Sequence, residues 1–315
     1  MTSLDVKGRM QRVPAPAEGA SPPRLGDEIG WRWATFSPSL LLMLALSVLP
    51  LANLFWLSFN DVSWAGGKAT WTPVGLAHYR AVPHDPLFQA GLVNTSLFAL
   101  GAVSGQMVLG FITALLCSRV TRGRVLYRTI FVLPILIPGI VVGAIWKLML
   151  NYDFGLANQA IGLLGIAPLD WLGDSGTALL SVIMVDIWHW TPFCFLLFLA
   201  GLESMPQDVY EAAHIDGASA WQELLYVTLP MMMPTILVTF AFRLVLAFKV
   251  FDEVYLLTGG GPGTSTEVVS FTLYQRFFTE DRVGYGAAMA VIVIFLVALL
   301  LVFAFSTRRR SEAGA

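Results

Sequence analysis

The most informative segment of this chain is Glu211-Ala212-Ala213-His214-Ile215-Asp216-Gly217-Ala218, followed further along by Val227-Thr228-Leu229-Pro230. Pro206 to Ala213 reads as a short amphipathic helix with acidic side chains in its first turns, where the helix dipole favours negative charge. Gly217 then provides the positive φ that reverses the chain. A second predicted helix, Ala218–Val227, leads to Pro230, which can begin a further helix. These residues predict a rigid helix-turn-helix.

The composition excludes a soluble protein. Of the 315 residues, 56% are hydrophobic and only 13% are charged, whereas soluble domains carry about 25% charged residues. So few ionisable groups could not cover the surface of a soluble globule. The formal net charge of −2 gives no indication of nucleic-acid binding. The two cysteines, Cys117 and Cys194, provide neither a disulfide framework nor a metal-ligand cluster.

The apolar residues come in six blocks, each long enough to cross a hydrocarbon core of about 30 Å. Two charged residues, Arg243 and Lys249, interrupt the fifth block, and charges at membrane depth are costly unless they face protein or water. The pattern still predicts an all-α membrane protein with six transmembrane helices. Their approximate bounds are Pro38–Phe59, Val93–Leu116, Thr129–Leu150, Thr177–Ala200, Met231–Val250 and Tyr285–Ser306.

The distribution of Lys and Arg predicts the orientation, because short cytoplasmic segments carry an excess of both. Basic residues concentrate before the first block, between the second and third, and after the sixth, so both termini are predicted to be cytoplasmic. Residues 1–30 are predicted to be a disordered cytoplasmic tail, residues 31–306 the six-span domain, and residues 307–315 a basic cytoplasmic tail. The loop at about 202–229 is cytoplasmic by parity, yet it contains no Lys or Arg. Its five acids are Glu203, Asp208, Glu211, Asp216 and Glu223.

This acidic loop resembles the EAA motif of the membrane subunits of binding-protein-dependent ABC importers, E-A-A-x3-G-x9-I-x-L-P. Val227 replaces the isoleucine, and every other specified position matches. The plain alternative is a loop that merely connects two spans. The number of matching positions, and their place before the penultimate span, favour the importer family.

Two further segments resemble the sugar-type branch of that family, the permeases for maltose-like sugars, polyols and glycerol phosphate. Residues 75–95 are similar to the pattern G-L-x-N-Y…D-P-x-F…N-T, with His78 in place of the usual asparagine. Leu257–Gly263 resembles the T-x-G-G-P-G segment, and Tyr285 then opens the last block. The resemblance covers about residues 38–306. It implies the ABC type I importer permease fold, which is MetI-like, in the inner membrane of a bacterium.

The resemblance also implies a mechanism and a set of partners. In the family, the EAA helix occupies a cleft of a cytoplasmic ATPase subunit and transmits closure of that cleft on ATP to the spans. Glu211 would contact basic residues of the ATPase, Ala212 and Ala213 would allow close docking, Gly217 would hold the turn, and Asp216 would cap or pair locally. The implied partners are a second, different permease subunit, two ATPase subunits that bind ATP and Mg, and an extracytoplasmic solute-binding protein. No cofactor is implied on this chain, and no nucleic acid.

Polar side chains at membrane depth are candidates for substrate contact. Asp186, His189, Trp190 and Phe193 recur at helical spacing in span four and therefore share one face. An acid beside aromatic rings suits a sugar, whose hydroxyls form hydrogen bonds while its C–H face stacks on a ring. A polar patch that packs against a neighbouring helix explains the same residues equally well. His189 is read as a hydrogen-bonded helix residue rather than a metal ligand, since no second His or Cys is near.

Span five carries Arg243 and Ala247 on one face. Arg243 either binds substrate or pairs with Asp186, which would neutralise two costly charges as a unit. Lys249 is expected to pair with Asp252 or Glu253, Asn94 is a candidate cap for span two, and the glycines of residues 257–263 form either a structural turn or a ligand contact. The residues predicted to bind substrate are Asp186, Trp190, Phe193, Arg243 and Ala247.

The predicted function is a permease subunit of an ATP-driven importer for a sugar, sugar alcohol or related polyhydroxyl compound, forming half of the translocation pathway. The sequence contains no G-x-x-x-x-G-K-[ST] motif, so ATP hydrolysis is expected on a separate subunit. Two alternatives stay open: an ion-coupled secondary transporter, although its usual internal repeats are not found here, and an ABC importer for a phosphorylated polyol such as glycerol phosphate. A membrane enzyme is disfavoured, because the spans hold no paired acids, His cluster or activated nucleophile. No catalytic residue and no metal site are predicted.

Overall fold

The computed structural model describes residues 3–4, 10–11, 25–65, 68–118, 120 and 122–312. The chain divides into two units, residues 1–53 and 54–315. In the first unit, two-residue strands β1 (Ser3–Leu4) and β2 (Met10–Gln11) pair antiparallel. Most of the predicted N-terminal tail, and residues 313–315 of the predicted C-terminal tail, lie outside the described residues.

The rest of the described chain is predominantly helical. Helix α1 (Leu25–Ser58) is followed by an antiparallel hairpin of β3 (Asn60–Ala65) and β4 (Lys68–Pro73). The later helices are α2 (Ala77–Ala81), α3 (Pro86–Ser118), α4 (Arg124–Val132), α5 (Gly139–Met149), α6 (Leu156–Gly162), α7 (Ala178–Glu203), α8 (Gln207–Ile215), α9 (Ala220–Glu223), α10 (Leu229–Ala247), α11 (Asp252–Leu257), α12 (Val269–Tyr274) and α13 (Val283–Glu312).

The described residues contain five helices long and apolar enough to cross a membrane, or six if one bent pair counts as a single span. The six-span prediction is therefore confirmed with one correction, because the third span is not a continuous helix. Its halves, Val125–Leu136 and Gly139–Met149, meet at 93°. Two prolines explain the break: Pro134 lies in a 3₁₀ turn and Pro138 caps α5, and proline removes a helical donor and clashes with the preceding turn.

The second span begins earlier than its apolar block. Helix α3 starts at Pro86, and the Asp85 side chain accepts hydrogen bonds from the backbone N–H of Leu87 and Phe88 at 2.9 and 3.3 Å. Asp before a first-position Pro is a favourable helix start. Asn94 consequently lies inside the helix, and its predicted role as a cap is wrong.

Helices α3 and α7 form the most extensive helix contact of the second unit. They approach closely because α3 presents glycine to α7: a Cβ on Gly110 would lie 2.6 Å from the Cβ of Cys194. Small residues allow such backbone approach where no hydrophobic force drives helices together in lipid. The close crossing places Gln106 of α3 opposite Asp186 of α7.

The second arm of the helix-turn-helix is continuous with span five. Helix α9 starts with a capping box, in which Ser219 and Gln222 satisfy each other's backbone N–H. From α9 the chain continues through a π-helical turn, Leu224–Thr228, directly into α10. Residues 220–247 therefore act as one apolar helix of 28 residues. The predicted separate helix before Pro230 is corrected, because the π-helical turn directly before this proline lets the helix continue past it.

Candidate functional site

The turn of the helix-turn-helix closes as predicted. Gly217 has a φ of +75°. The N–H of Ala218 donates to the carbonyl of Ala213 at 3.0 Å, and that of Gly217 donates to His214 at 3.1 Å. This pair of bonds is the Schellman arrangement, which satisfies the last carbonyls of a helix. The Glu211, Ala212 and Asp216 side chains are exposed on or beside α8.

One of the five loop acids is buried, and a second is exposed but paired with a basic residue. Glu203 pairs with Arg128. Glu223 is buried and lies 3.6 Å from Nε2 of His214 across the turn. Asp208, Glu211 and Asp216, on or beside α8, are exposed as well. The acidic surface of the loop is therefore smaller than the sequence suggests and centred on α8.

A cavity of about 820 Å³ lies beside α8. Tyr210, Glu211 and His214 form one wall, while Leu115 and Ser118 at the end of α3 line another. Helix α8 thus stands away from the end of α3 instead of packing on it. This leaves a flank of α8 accessible to another protein chain.

At membrane depth, Asp186, Gln106 and Arg243 form a closed hydrogen-bonded cluster. Arg243 Nη2 lies 3.0 Å from Asp186 Oδ2, Arg243 Nε donates to Gln106 Oε1 at 2.6 Å, and Gln106 Nε2 donates to Asp186 Oδ2 at 2.6 Å. All three side chains are at most 2% exposed. The alternative in which Arg243 pairs with Asp186 is the one this structure contains. Gln106 was missed, because nothing in its local sequence distinguishes it from other polar residues of span two.

An aromatic surface covers this cluster. The Arg243 guanidinium lies 4.7 Å from the centroid of the Trp190 ring. The Trp190, Phe193 and Phe242 rings follow one another at 6.3 and 6.4 Å. Trp190 and Phe193 are partly exposed, whereas Ala247 is buried. Of the five predicted substrate residues, the structure therefore leaves two partly exposed and buries the other three.

His189 is a hydrogen-bonded helix residue. Its Nδ1 lies 3.0 Å from Glu253 Oε1, and its Nε2 lies 3.0 Å from the carbonyl oxygen of Ile137. Lys249 is exposed, and the described chain shows no ion pair between it and Asp252 or Glu253. The predicted ion pair of Lys249 is therefore wrong, because the Glu253 carboxylate is bonded to His189 instead. No group of three or more His, Cys, Asp or Glu suited to a metal occurs among the described residues.

The glycine-rich segment between α11 and α12 is an ordered turn. Thr266 Oγ1 donates to the carbonyl of Gly261 at 2.6 Å. From α3, Asn94 Nδ2 donates to the carbonyls of Thr264 and Glu267 at 2.7 and 2.9 Å. These bonds fix the segment to span two and favour the structural interpretation of its glycines. They also explain why a polar side chain stands at position 94: Asn94 holds a segment that lies 170 residues or more further along the chain.

A second ion-pair network joins the start of span two to the residues before span six. Arg276 donates to both carboxylate oxygens of Asp85, at 3.2 and 3.0 Å, and to Glu280 at 2.6 Å. Burial alone would raise the pKa of Asp85, but the backbone N–H of Phe88 and the Arg276 guanidinium outweigh it and lower that pKa. The hydrogen bond to Glu280 raises the pKa of Arg276. Asp85 therefore stays ionised and holds the two segments together.

The sequence profile of the family described as "Binding-protein-dependent transport system inner membrane component" matches residues 106–311. The match includes the helix-turn-helix and the buried Gln106–Asp186–Arg243 cluster. This chain belongs to that family. The permease is a multi-pass inner-membrane protein and a transport subunit, and its family works together with a solute-binding protein.

Sequence relatives cover most of the permease. It is 37% identical over 261 residues to the trehalose/maltose transport system permease protein MalF of Thermococcus litoralis, covering 82% of this chain and 87% of the relative. It is 32% identical over 260 residues to the sulfoquinovosyl glycerol transport system permease protein SmoG of Agrobacterium fabrum, covering 82% and 84%. The names of these two relatives refer to different sugar compounds.

A solved structure shows the same fold. It is a chain of a bacterial ABC transporter involved in the import of the acidic polysaccharide alginate, with a TM-score of 0.78 and 24% identity, covering 91% of the permease and 99% of that chain. The predicted MetI-like importer fold is therefore confirmed. The ion-coupled secondary transporter is not favoured.

Replacing Gly217 with alanine tests the turn. A side chain at φ +75° costs about 1 kcal/mol or more, which tilts α8 or destabilises the turn. We expect Gly217→Ala to reduce ATP-driven uptake by about fivefold. Gly165→Ala is the matched control, since Gly165 has a φ of +76° and, like Gly217, nothing within 4 Å of an added Cβ. Equal losses of uptake in the two variants would contradict a specific role for the turn.

Proposed function

We propose that this chain forms half of the translocation pathway of an ATP-driven importer for a neutral sugar or sugar alcohol. The observation that carries the proposal is the partly exposed Trp190–Phe193 surface. Behind it, the charges of Asp186 and Arg243 already neutralise each other as an ion pair. A sugar offers a C–H face that stacks on such rings. Arg243 lies behind this surface with its partner Asp186, and Ala247 is buried on the same helix as Arg243. These three residues would line the path once α7 and α10 separate.

The state of Arg243 favours a neutral substrate over a phosphorylated polyol. Its Nε and Nη2 already donate to Gln106 and Asp186, and its face lies on Trp190. An anionic substrate would have to compete with the Asp186 carboxylate for this guanidinium in a site where breaking a pair costs several kcal/mol. A neutral substrate meets no such competition.

Helix α8 is the proposed contact with the ATPase. Glu211 would meet basic residues of an ATPase cleft, Ala212 and Ala213 would allow close docking, and Asp216 and Gly217 would hold the turn. Exposed acids without a neighbouring Lys or Arg on α8 support this pairing, because complementary charge favours one docking orientation. ATP and Mg would bind on two separate ATPase subunits.

The complete importer would contain this chain, a second and different permease subunit, two ATPase subunits and an extracytoplasmic solute-binding protein. Both termini of this chain would lie in the cytoplasm, as the Lys and Arg distribution predicts. Isolation of the importer with a single type of permease chain would contradict the heterodimer.

Uptake by the complete importer in proteoliposomes tests the substrate surface. We expect Trp190→Ala to reduce uptake of neutral disaccharides such as maltose or trehalose about tenfold, because stacking and the support of Arg243 are lost together. Trp188→Ala is the matched control: Trp188 is 38% exposed and packs on Trp146, away from the cluster. Glycerol phosphate serves as the anionic probe. Its uptake in preference to every neutral sugar would refute the proposal.

A further inference from the structure

Span three is interrupted, and the helix after its break packs against α11, the short helix that follows span five. Span three breaks before Pro138, span five ends at Ala247, and α11 begins at Asp252. Helix α5 lies against α11 so closely that a Cβ on Gly143 would be 2.8 Å from the Cβ of Leu256. Lys147 Nζ also donates to the carbonyl of Leu256 at 2.8 Å. Helices α5 and α11 therefore form one packed pair.

The break in span three releases a backbone carbonyl at membrane depth. In a continuous helix, the Ile137 carbonyl would accept from the N–H of Val141, but that N–H donates to Pro138 at 2.9 Å. The Ile137 carbonyl instead accepts from His189 Nε2 at 3.0 Å. Unsatisfied carbonyls are costly in a bilayer. Because a carbonyl can only accept, Nε2 of His189 carries a hydrogen.

The second nitrogen of His189 reaches the start of α11, just after span five. Nδ1 lies 3.0 Å from Oε1 of Glu253, which is in the first turn of α11. His189 is 3% and Glu253 5% exposed, so water cannot substitute for this contact. Nε2 already carries one hydrogen. A second hydrogen, shared between Nδ1 of His189 and Oε1 of Glu253, gives both atoms a hydrogen-bond partner. One imidazole thus connects α7 to the break in span three and to α11.

We propose that His189 is a positioning residue that holds the break in span three and the start of α11 on the substrate-facing side of α7, so that the α5–α11 pair moves with that surface. The neighbouring Trp190 ring is 5.3 Å from the imidazole. Helix α7 also leads directly to α8, so the same helix connects the proposed ATPase contact to this fastening. The inference rests on the proposed function of substrate translocation.

The test uses the complete importer in proteoliposomes with the variants His189→Leu, Glu253→Leu and Glu253→Gln. ATP hydrolysis is measured with and without substrate-loaded binding protein, alongside uptake. We expect both leucine variants to keep the basal hydrolysis and to lose the stimulation by loaded binding protein about tenfold or more. Glu253→Gln should stay within about twofold of the native importer, because its amide can donate to Nδ1.

Rescue by glutamine separates positioning from general packing. Normal stimulation in His189→Leu, or equal loss in Glu253→Gln and Glu253→Leu, overturns the inference. If His189→Leu fails to assemble, the two Glu253 variants decide the question, because the Ile137 carbonyl keeps its donor in both. If His189→Leu keeps its normal stimulation of hydrolysis while Trp190→Ala loses uptake, the inference about His189 is overturned but the proposed function stands. A native importer that takes up no neutral sugar refutes the proposed function instead.

Discussion

Arg243→Leu should lower the free energy of unfolding of the permease by roughly 3–5 kcal/mol, because it leaves the Asp186 carboxylate buried without its partner. Asp186→Leu should lower the free energy of unfolding by a similar amount, because it leaves the Arg243 guanidinium buried without its partner. The double variant removes both charges and should recover most of the loss, since apolar replacements of a whole buried pair are often tolerated. The measurement is thermal unfolding of the purified complex in detergent.

The control for this cycle is Arg282→Leu. The Arg282 side chain is 49% exposed and lies 3.9 Å from Glu280 at its nearest ion-pair contact, so its loss should change stability by less than about 1 kcal/mol. If the double variant is as unstable as the sum of the two single variants, Asp186 and Arg243 do not act as a pair. A strong recovery with loss of uptake would show that the pair serves transport more than folding.

Glu211→Lys should reduce ATP-driven uptake about a hundredfold or more. Reversing a charge that meets a complementary partner at an interface loses the pair and adds repulsion, which costs several kcal/mol. The complex should still assemble in part, while hydrolysis no longer responds to loaded binding protein. Co-purification of the ATPase and stimulated ATP hydrolysis measure the two effects separately.

Asp153→Lys is the matched charge reversal. Asp153 is an exposed acid in the loop after α5, which the Lys and Arg distribution predicts to lie on the other side of the membrane. The Asp153→Lys variant should leave uptake and ATP hydrolysis near their native levels. Comparable losses in the two variants would show that net charge, not the contact of α8, governs coupling.

The spans and the turn could be predicted because their determinants are local. Apolar runs of about 20 residues have few alternatives to crossing a membrane, and a glycine after a short acidic helix is a common chain reversal. The shared face of Asp186 and Trp190 follows from helical periodicity alone. The pairing of Asp186 with Arg243 could be anticipated because two charges at membrane depth need each other.

The remaining features depend on contacts between distant segments. Gln106 completes the charge cluster from 80 residues before Asp186, and Asn94 binds a turn 170 residues later. The inward orientation of Glu223 depends on where His214 lies after the turn is made. The break in span three has a visible cause in Pro134 and Pro138, but its 93° angle is set by packing against α7 and α11. None of these can be read from a window of sequence.

The uninterrupted helix from Ala220 to Ala247 has a mechanical consequence. Arg243 lies roughly 35 Å along this helix from Ala220, at about 1.5 Å per residue. Acting as a stiff lever pivoting at the Gly217 turn, the helix would shift Arg243 by about 3 Å for a tilt of about 5°, which is more than a hydrogen bond tolerates. A small rotation imposed on the cytoplasmic end is therefore sufficient to separate Arg243 from Asp186 and to uncover charged groups behind Trp190.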